Sequence, residues 1–105
     1  MTKTEFDKFM DDVIIPEIKD TRDKGQKEYA QDILNVFGNF RRTGSRVGIS
    51  PEQSLMNFLM KHIDGICAHV KGYESQREPV QGRIKDAIVY LSLLWGMVEK
   101  DKEHI

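Results

Sequence analysis

Asp86 is the acid whose position demands a reason. On a helical wheel it lies with Tyr90, Leu93 and Met97, at spacings of four, seven and eleven, on an otherwise apolar side. A carboxylate there is costly unless it is paired, hydrogen-bonded or bound to a cation. It is either a metal ligand or pocket acid, or the partner of Arg83, three residues earlier, in exposed first turns of the helix. Glu28 and Asp32 stand four apart and share one helix face. Such a pair can hold a hard divalent cation with waters completing its shell. It can equally be a solvated acidic edge beside Lys24 and Lys27. With Asp86 from a facing helix, Glu28 and Asp32 make the candidate metal set.

His62 and His69 lie seven apart on one edge of a helical pattern. That is about 10 Å along the axis, too far to share an ion. Lys61 and His62 are placed to meet a phosphate or a base, or His62 is a packed histidine with one hydrogen bond. His69 reads as a core-edge residue. Arg41, Arg42 and Arg46 fall in RRTGSRVG, whose glycines and small polar residues read as a loop. Three guanidiniums there can fork onto phosphate oxygens, and the segment feeds a helix N-terminus at Ser50 that favours anions. The bland alternative is a solvated basic turn. It is not a Walker loop, because the Gly-Lys-Ser/Thr ending is absent. Cys67, the one cysteine, reads as a structural thiol on an apolar helix flank.

Helices must position these groups. Thr4 is placed to cap a first helix carrying Phe6, Phe9, Met10, Val13 and Ile14. Pro16 either ends or kinks that helix or sits in the first turn of its continuation. The highly charged stretch 17–27 reads as solvated. A second pattern carries Tyr29, Ile33, Val36 or Phe37, and Phe40. Ser50, Pro51 and Gln53 form a strong start signal. The stripe Leu55, Leu59, Ile63, Ile66 and Val70 follows it, and Gly72 can stop that helix. Residues 73–79 read as a polar connection. The last helix, 80–99, is apolar on two sides. Ile84, Ile88, Leu91, Trp95 and Val98 form one stripe, and Val89, Leu93 and Met97 lie opposite. Such a helix is buried in a bundle or in an oligomer interface. The expected fold is all-α, a four- to five-helix bundle assembled as a helical oligomer through its first and last helices.

The chain has 105 residues, the length of one domain. Hydrophobic residues make up 39% and charged ones 31%, a balance that excludes a disordered tail. Net charge is −1, which excludes a wholly basic nucleic-acid binder. Residues 1–23 hold seven acids and four bases, net −3, whereas residues 24–50 hold five bases and two acids, net +3. The middle third therefore offers a local field for an anionic small ligand. The acidic N-terminus lacks a signal-peptide apolar stretch, and no apolar run is long enough to span a bilayer. A cytoplasmic setting fits.

Several segments, taken in order, resemble a family of small helical proteins common in phage genomes. They are KGQKEYA (24–30), VFGNF (36–40), GISPEQSL (48–55), MKHIDGI (60–66) and RIKDAIVYLSLL (83–94). That family in turn resembles the all-α nucleotide pyrophosphohydrolases of MazG type. The resemblance divides the single domain into an acidic N-terminal helix (1–23), a MazG-like core (24–99) and a tail (100–105). It implies a magnesium site built from an E-x-x-E pair and an E-x-x-D pair, and an assembly of dimers or tetramers. Asp86 matches the last acid of the second pair. Arg83 stands where that pair's glutamate would be, and Glu28 and Asp32 are four apart rather than three.

The expected function is nucleotide binding, including sequestration of a nucleotide signal, with phosphates on Arg41, Arg42 and Arg46. Lys24, Tyr29, Phe40, Lys61, His62 and Tyr90 complete the expected ligand set. One alternative is a magnesium-dependent nucleoside triphosphate pyrophosphohydrolase using Glu28, Asp32 and Asp86. The other is a module whose apolar last helix docks a host protein. Expected partners are a phosphate-bearing small molecule and further copies of the chain, without membrane or nucleic acid.

Overall fold

The computed structural model describes residues 1–30, 35–74 and 77–103. All regular structure among them is helical. The first rod begins with α1 (Lys3–Phe9), passes through a π-helical stretch, Met10–Ile14, into α2 (Ile15–Gly25), and ends in a second π-helical stretch, Gln26–Ala30. The junction residues Phe9, Met10, Ile14, Ile15 and Gln26 all keep right-handed helical backbone, so the rod is continuous. Thr2, not Thr4, caps it: its side chain accepts a hydrogen bond from the Glu5 N–H. Thr2 and Glu5 have the spacing a capping box uses, which places Thr4 inside the first turn. Pro16 lies in the first turn of α2, just after the widened π turns. Its ring and missing N–H conflict with a regular helix at Asp12, and the wider turn absorbs that conflict.

The helix α3 (Gly38–Val47) corrects the reading of residues 41–48 as a loop. Arg41, Arg42 and Arg46 stand on a helix instead. Gly44 misled because it serves packing rather than turning. A Cβ on Gly44 would stand 2.6 Å from the Ile49 carbonyl oxygen and 3.1 Å from that of Ser50. Gly44 is therefore the point where α3 lies against the chain entering α4. Thr43 keeps its hydroxyl within the helix, donating to the Asn39 carbonyl. Only Gly48, in the left-handed region at φ 76°, makes the turn.

The helix α4 (Pro51–Val70) starts as its sequence requires. Ser50 Oγ accepts from the Gln53 N–H, and Gln53 Oε1 accepts from the Ser50 N–H. Gly72, at φ 100°, follows its end, and the Tyr73 N–H donates back to the Ala68 carbonyl. The last helix, α5 (Val80–Glu103), runs slightly beyond its expected end.

The core sits where α3, α4 and α5 meet. Phe40, Leu55 and Met97 are buried in it, with Phe37, Phe58, Tyr90, Leu93 and Leu94 packed against them. Of the two apolar sides of α5, the one bearing Leu93 and Met97 faces this core. The other, with Ile84, Ile88, Leu91, Trp95 and Val98, is exposed. The Lys85 ammonium meets the Glu17 carboxylate at 3.3 Å and helps hold α2 against α5. Among the described residues no helix is long and apolar enough to cross a membrane.

Candidate functional site

Packing four rods side by side leaves a cavity of about 570 Å³ between the end of the first rod and the faces of α3, α4 and α5. Sites for small ligands have roughly 300–1,000 Å³. Its apolar floor is aromatic. The Phe58 and Tyr90 rings lie within 15° of parallel at 6.3 Å, and Phe40 meets each edge-on at 6.0 Å. Phe40 comes from α3, Phe58 from α4 and Tyr90 from α5, so the core's own packing builds the floor.

Over this floor stands a polar wall. His62 packs its ring beside Tyr90, with centroids 5.6 Å apart. Its Nε2 lies 3.7 Å from Asp86 Oδ2, and its Nδ1 lies 3.9 Å from Glu78 Oε1. Both distances exceed a hydrogen bond. His62 Nδ1 is buried and makes no hydrogen bond. Among the described residues, His62, Glu78 and Asp86 are the group that can bring three ligand atoms within 4.8 Å of one another. Arg83 pairs with Glu78, Nη1 to Oε1 at 3.6 Å, rather than with Asp86.

Burial pushes the Asp86 carboxyl above its ordinary value. The Glu78 charge adds to that shift, while His62, Lys85 and Arg83 oppose it. Burial, then the charge of Asp86 and the nearby Tyr29, pushes the Tyr90 phenol up, so it stays a hydrogen-bond donor at neutral pH. The Glu28 carboxylate chiefly raises the exposed Tyr29 phenol. Among ionisable lining groups, Arg22 and Lys61 face Glu28, Glu78 and Asp86. With the His62 imidazole, the wall carries three basic groups against three acids.

Seven residues expected from the sequence line this cavity: Glu28, Tyr29, Phe40, Lys61, His62, Asp86 and Tyr90. Asp32 lies outside the described residues. Lys24 stands apart and pairs with Asp20 at 2.8 Å. Arg41 and Arg46 are exposed on α3 and do not line the cavity. Arg42 is tied to the cavity's rim instead, donating from Nη2 to the Tyr29 carbonyl at 2.9 Å. His69 and Cys67 are exposed, so Cys67 is not the covered thiol its apolar flank implied. Sequence reasoning missed Arg22 and Glu78. Glu78 carried one usable signal: it is an acid two residues before the start of α5, where a helix N-terminus favours negative charge.

The chain matches no protein-family model, no curated protein and no solved structure.

Proposed function

We propose that the cavity binds a nucleotide. The observation that carries this reading is the meeting of aromatic, basic and acid–imidazole groups from separate helices around one cavity. A base would lie against the aromatic floor, where stacking contributes about 1–3 kcal/mol per base. Lys61 and Arg22 would face the phosphates. The three carboxylates oppose a phosphate unless a cation stands between, so binding would depend on one. Magnesium, on Glu28, Asp32 and Asp86, is the ion the family resemblance implies. The same resemblance would set this binding in the cytoplasm of a phage-infected cell.

Pyrophosphate release from a nucleoside triphosphate is the second reading. It is favoured by His62 standing between two carboxylates, a placement suited to taking a proton from water. Self-association through the exposed side of α5 belongs to the proposal as well.

Calorimetric titration with nucleoside mono-, di- and triphosphates and cyclic dinucleotides tests it. Binding should weaken about tenfold to a hundredfold in Lys61→Ala, the loss of one charge-assisted contact. Tyr90→Phe should keep most of the affinity, because it keeps the ring. Affinity for no nucleotide would overturn the proposal, and steady pyrophosphate release would promote the second reading.

A further inference from the structure

We infer that His62, Glu78 and Asp86 form a divalent-metal site that prefers a first-row transition ion such as Mn²⁺ or Zn²⁺ to Mg²⁺. The inference deepens the reading of the cavity but rests on its own geometry.

Three residues converge from different parts of the chain: His62 from the middle of α4, Asp86 from the second turn of α5, and Glu78 from the connection between them. Each offers one ligand atom, and these atoms lie within 4.8 Å of one another. Metal–nitrogen and metal–oxygen bonds of about 2.0–2.2 Å place two donors on one ion roughly 3–4.4 Å apart. Each ring nitrogen has one carboxylate oxygen in that range, Glu78 Oε1 at 3.9 Å from Nδ1 and Asp86 Oδ2 at 3.7 Å from Nε2, so an ion on either nitrogen keeps one of these pairs and takes its third donor from within the 4.8 Å spread. Both separations are too long for hydrogen bonds, so these atoms of His62 are joined to the two acids by charge alone. A buried ring nitrogen without a hydrogen bond is a second, separate mark of an absent partner.

The ion would take one ring nitrogen and one oxygen from each acid. Three protein donors leave positions open toward the cavity for water or a ligand oxygen. One imidazole with two carboxylates is a mixed set, which suits a transition ion better than the all-oxygen shell magnesium prefers. It differs from the Glu28, Asp32 and Asp86 set expected from sequence, sharing only Asp86. The remaining contacts are those of an outer shell. Arg83 holds Glu78 from behind, and Lys85 and Arg83 lend positive charge near Asp86.

Mn²⁺, Zn²⁺ and Mg²⁺ are titrated separately into the full chain without nucleotide. The first two should bind at one ion per chain and more tightly than Mg²⁺. Paramagnetic broadening by Mn²⁺ should be strongest at His62 and weaker at His69. Loss of an outer-shell partner costs about 10–100-fold in affinity, so His62→Ala, Glu78→Gln and Asp86→Asn should each cost at least that much. No binding of Mn²⁺ or Zn²⁺, Mg²⁺ as tight as either, or affinity unchanged in Glu78→Gln would overturn the site. Glu78→Gln decides the matter if His62→Ala fails to fold, since Glu78 lies outside the helices. Because the metal is titrated alone, a failure here leaves nucleotide binding to its own titration.

Discussion

The Arg83 side chain lies across Gly65, in the space that a Cβ at residue 65 would occupy. From there its guanidinium reaches Glu78. The glycine in the middle of α4 is thus what lets an arginine of α5 stand behind the acid wall of the cavity. Gly65→Ala should displace Arg83 while leaving the fold intact, since the atoms met belong to a flexible side chain. Removing this outer-shell hold on Glu78 should weaken Mn²⁺ binding by about 10–100-fold. Arg83→Ala should do the same, and the double variant should match either single one. Additive effects in metal titration would show that Gly65 does not act through Arg83.

Asp86 should weaken the fold at neutral pH. Its folded pKa is raised above the ordinary value of 3.8, so protonation favours the folded state. That contribution is complete below 3.8 and is lost as pH rises through the raised folded value. Asp86→Asn should therefore raise the urea midpoint at pH 7, and its advantage should shrink as the solution is acidified. The side chain is 35% exposed, so water screens part of the effect. Paired urea titrations at neutral and acid pH check it. A variant less stable than wild type at pH 7 would mean that ionised Asp86 supports the fold.

Helical periodicity made most of the site readable, because it reports which side chains share a face. Asp86 and Tyr90 are one turn apart on α5, and Lys61 and His62 follow the Leu55–Leu59 stripe on α4, so their convergence followed from packing those faces. Glu78 lies on irregular chain, where periodicity says nothing about direction, and it was missed. Arg41, Arg42 and Arg46 were misplaced for another reason. Glycine between small polar residues looks alike whether the backbone must turn or a neighbour must come close. At Gly48 it is the turn, and at Gly44 it is the neighbour.

That distinction is measurable. Gly44→Ala sets a Cβ against backbone oxygens that cannot swing aside. It should destabilise the protein by about 1–3 kcal/mol through overpacking, less the helix-propensity gain of up to about 1 kcal/mol. Gly25→Ala, within α2 and with nothing within 4 Å of its Cβ, should instead stabilise by up to about 1 kcal/mol. Thermal melts of the two variants should move in opposite directions. A stabilised Gly44→Ala would mean that α3 does not approach Ile49 as closely as the structure has it.

The exposed side of α5 repeats at intervals of four and three: Ile84, Ile88, Leu91, Trp95, Val98. That is the heptad spacing by which one helix seats against another. Trp95 is 70% exposed and Leu91 51%, so neither contributes much to the chain's own core. Fully burying a leucine-sized side chain stabilises by about 1.5–3 kcal/mol, and each of these five, between 38% and 70% exposed, would gain part of that on pairing. Light scattering over a dilution series should show a mass above that of one chain, falling as the protein is diluted. Leu91→Asp should abolish the association, since it removes a central seam residue and leaves a charge facing its copy. Its far-UV circular dichroism should remain helical, because the replaced side chain is outside the core. A wild-type protein that stays monomeric across the series would leave the seam to a different helix.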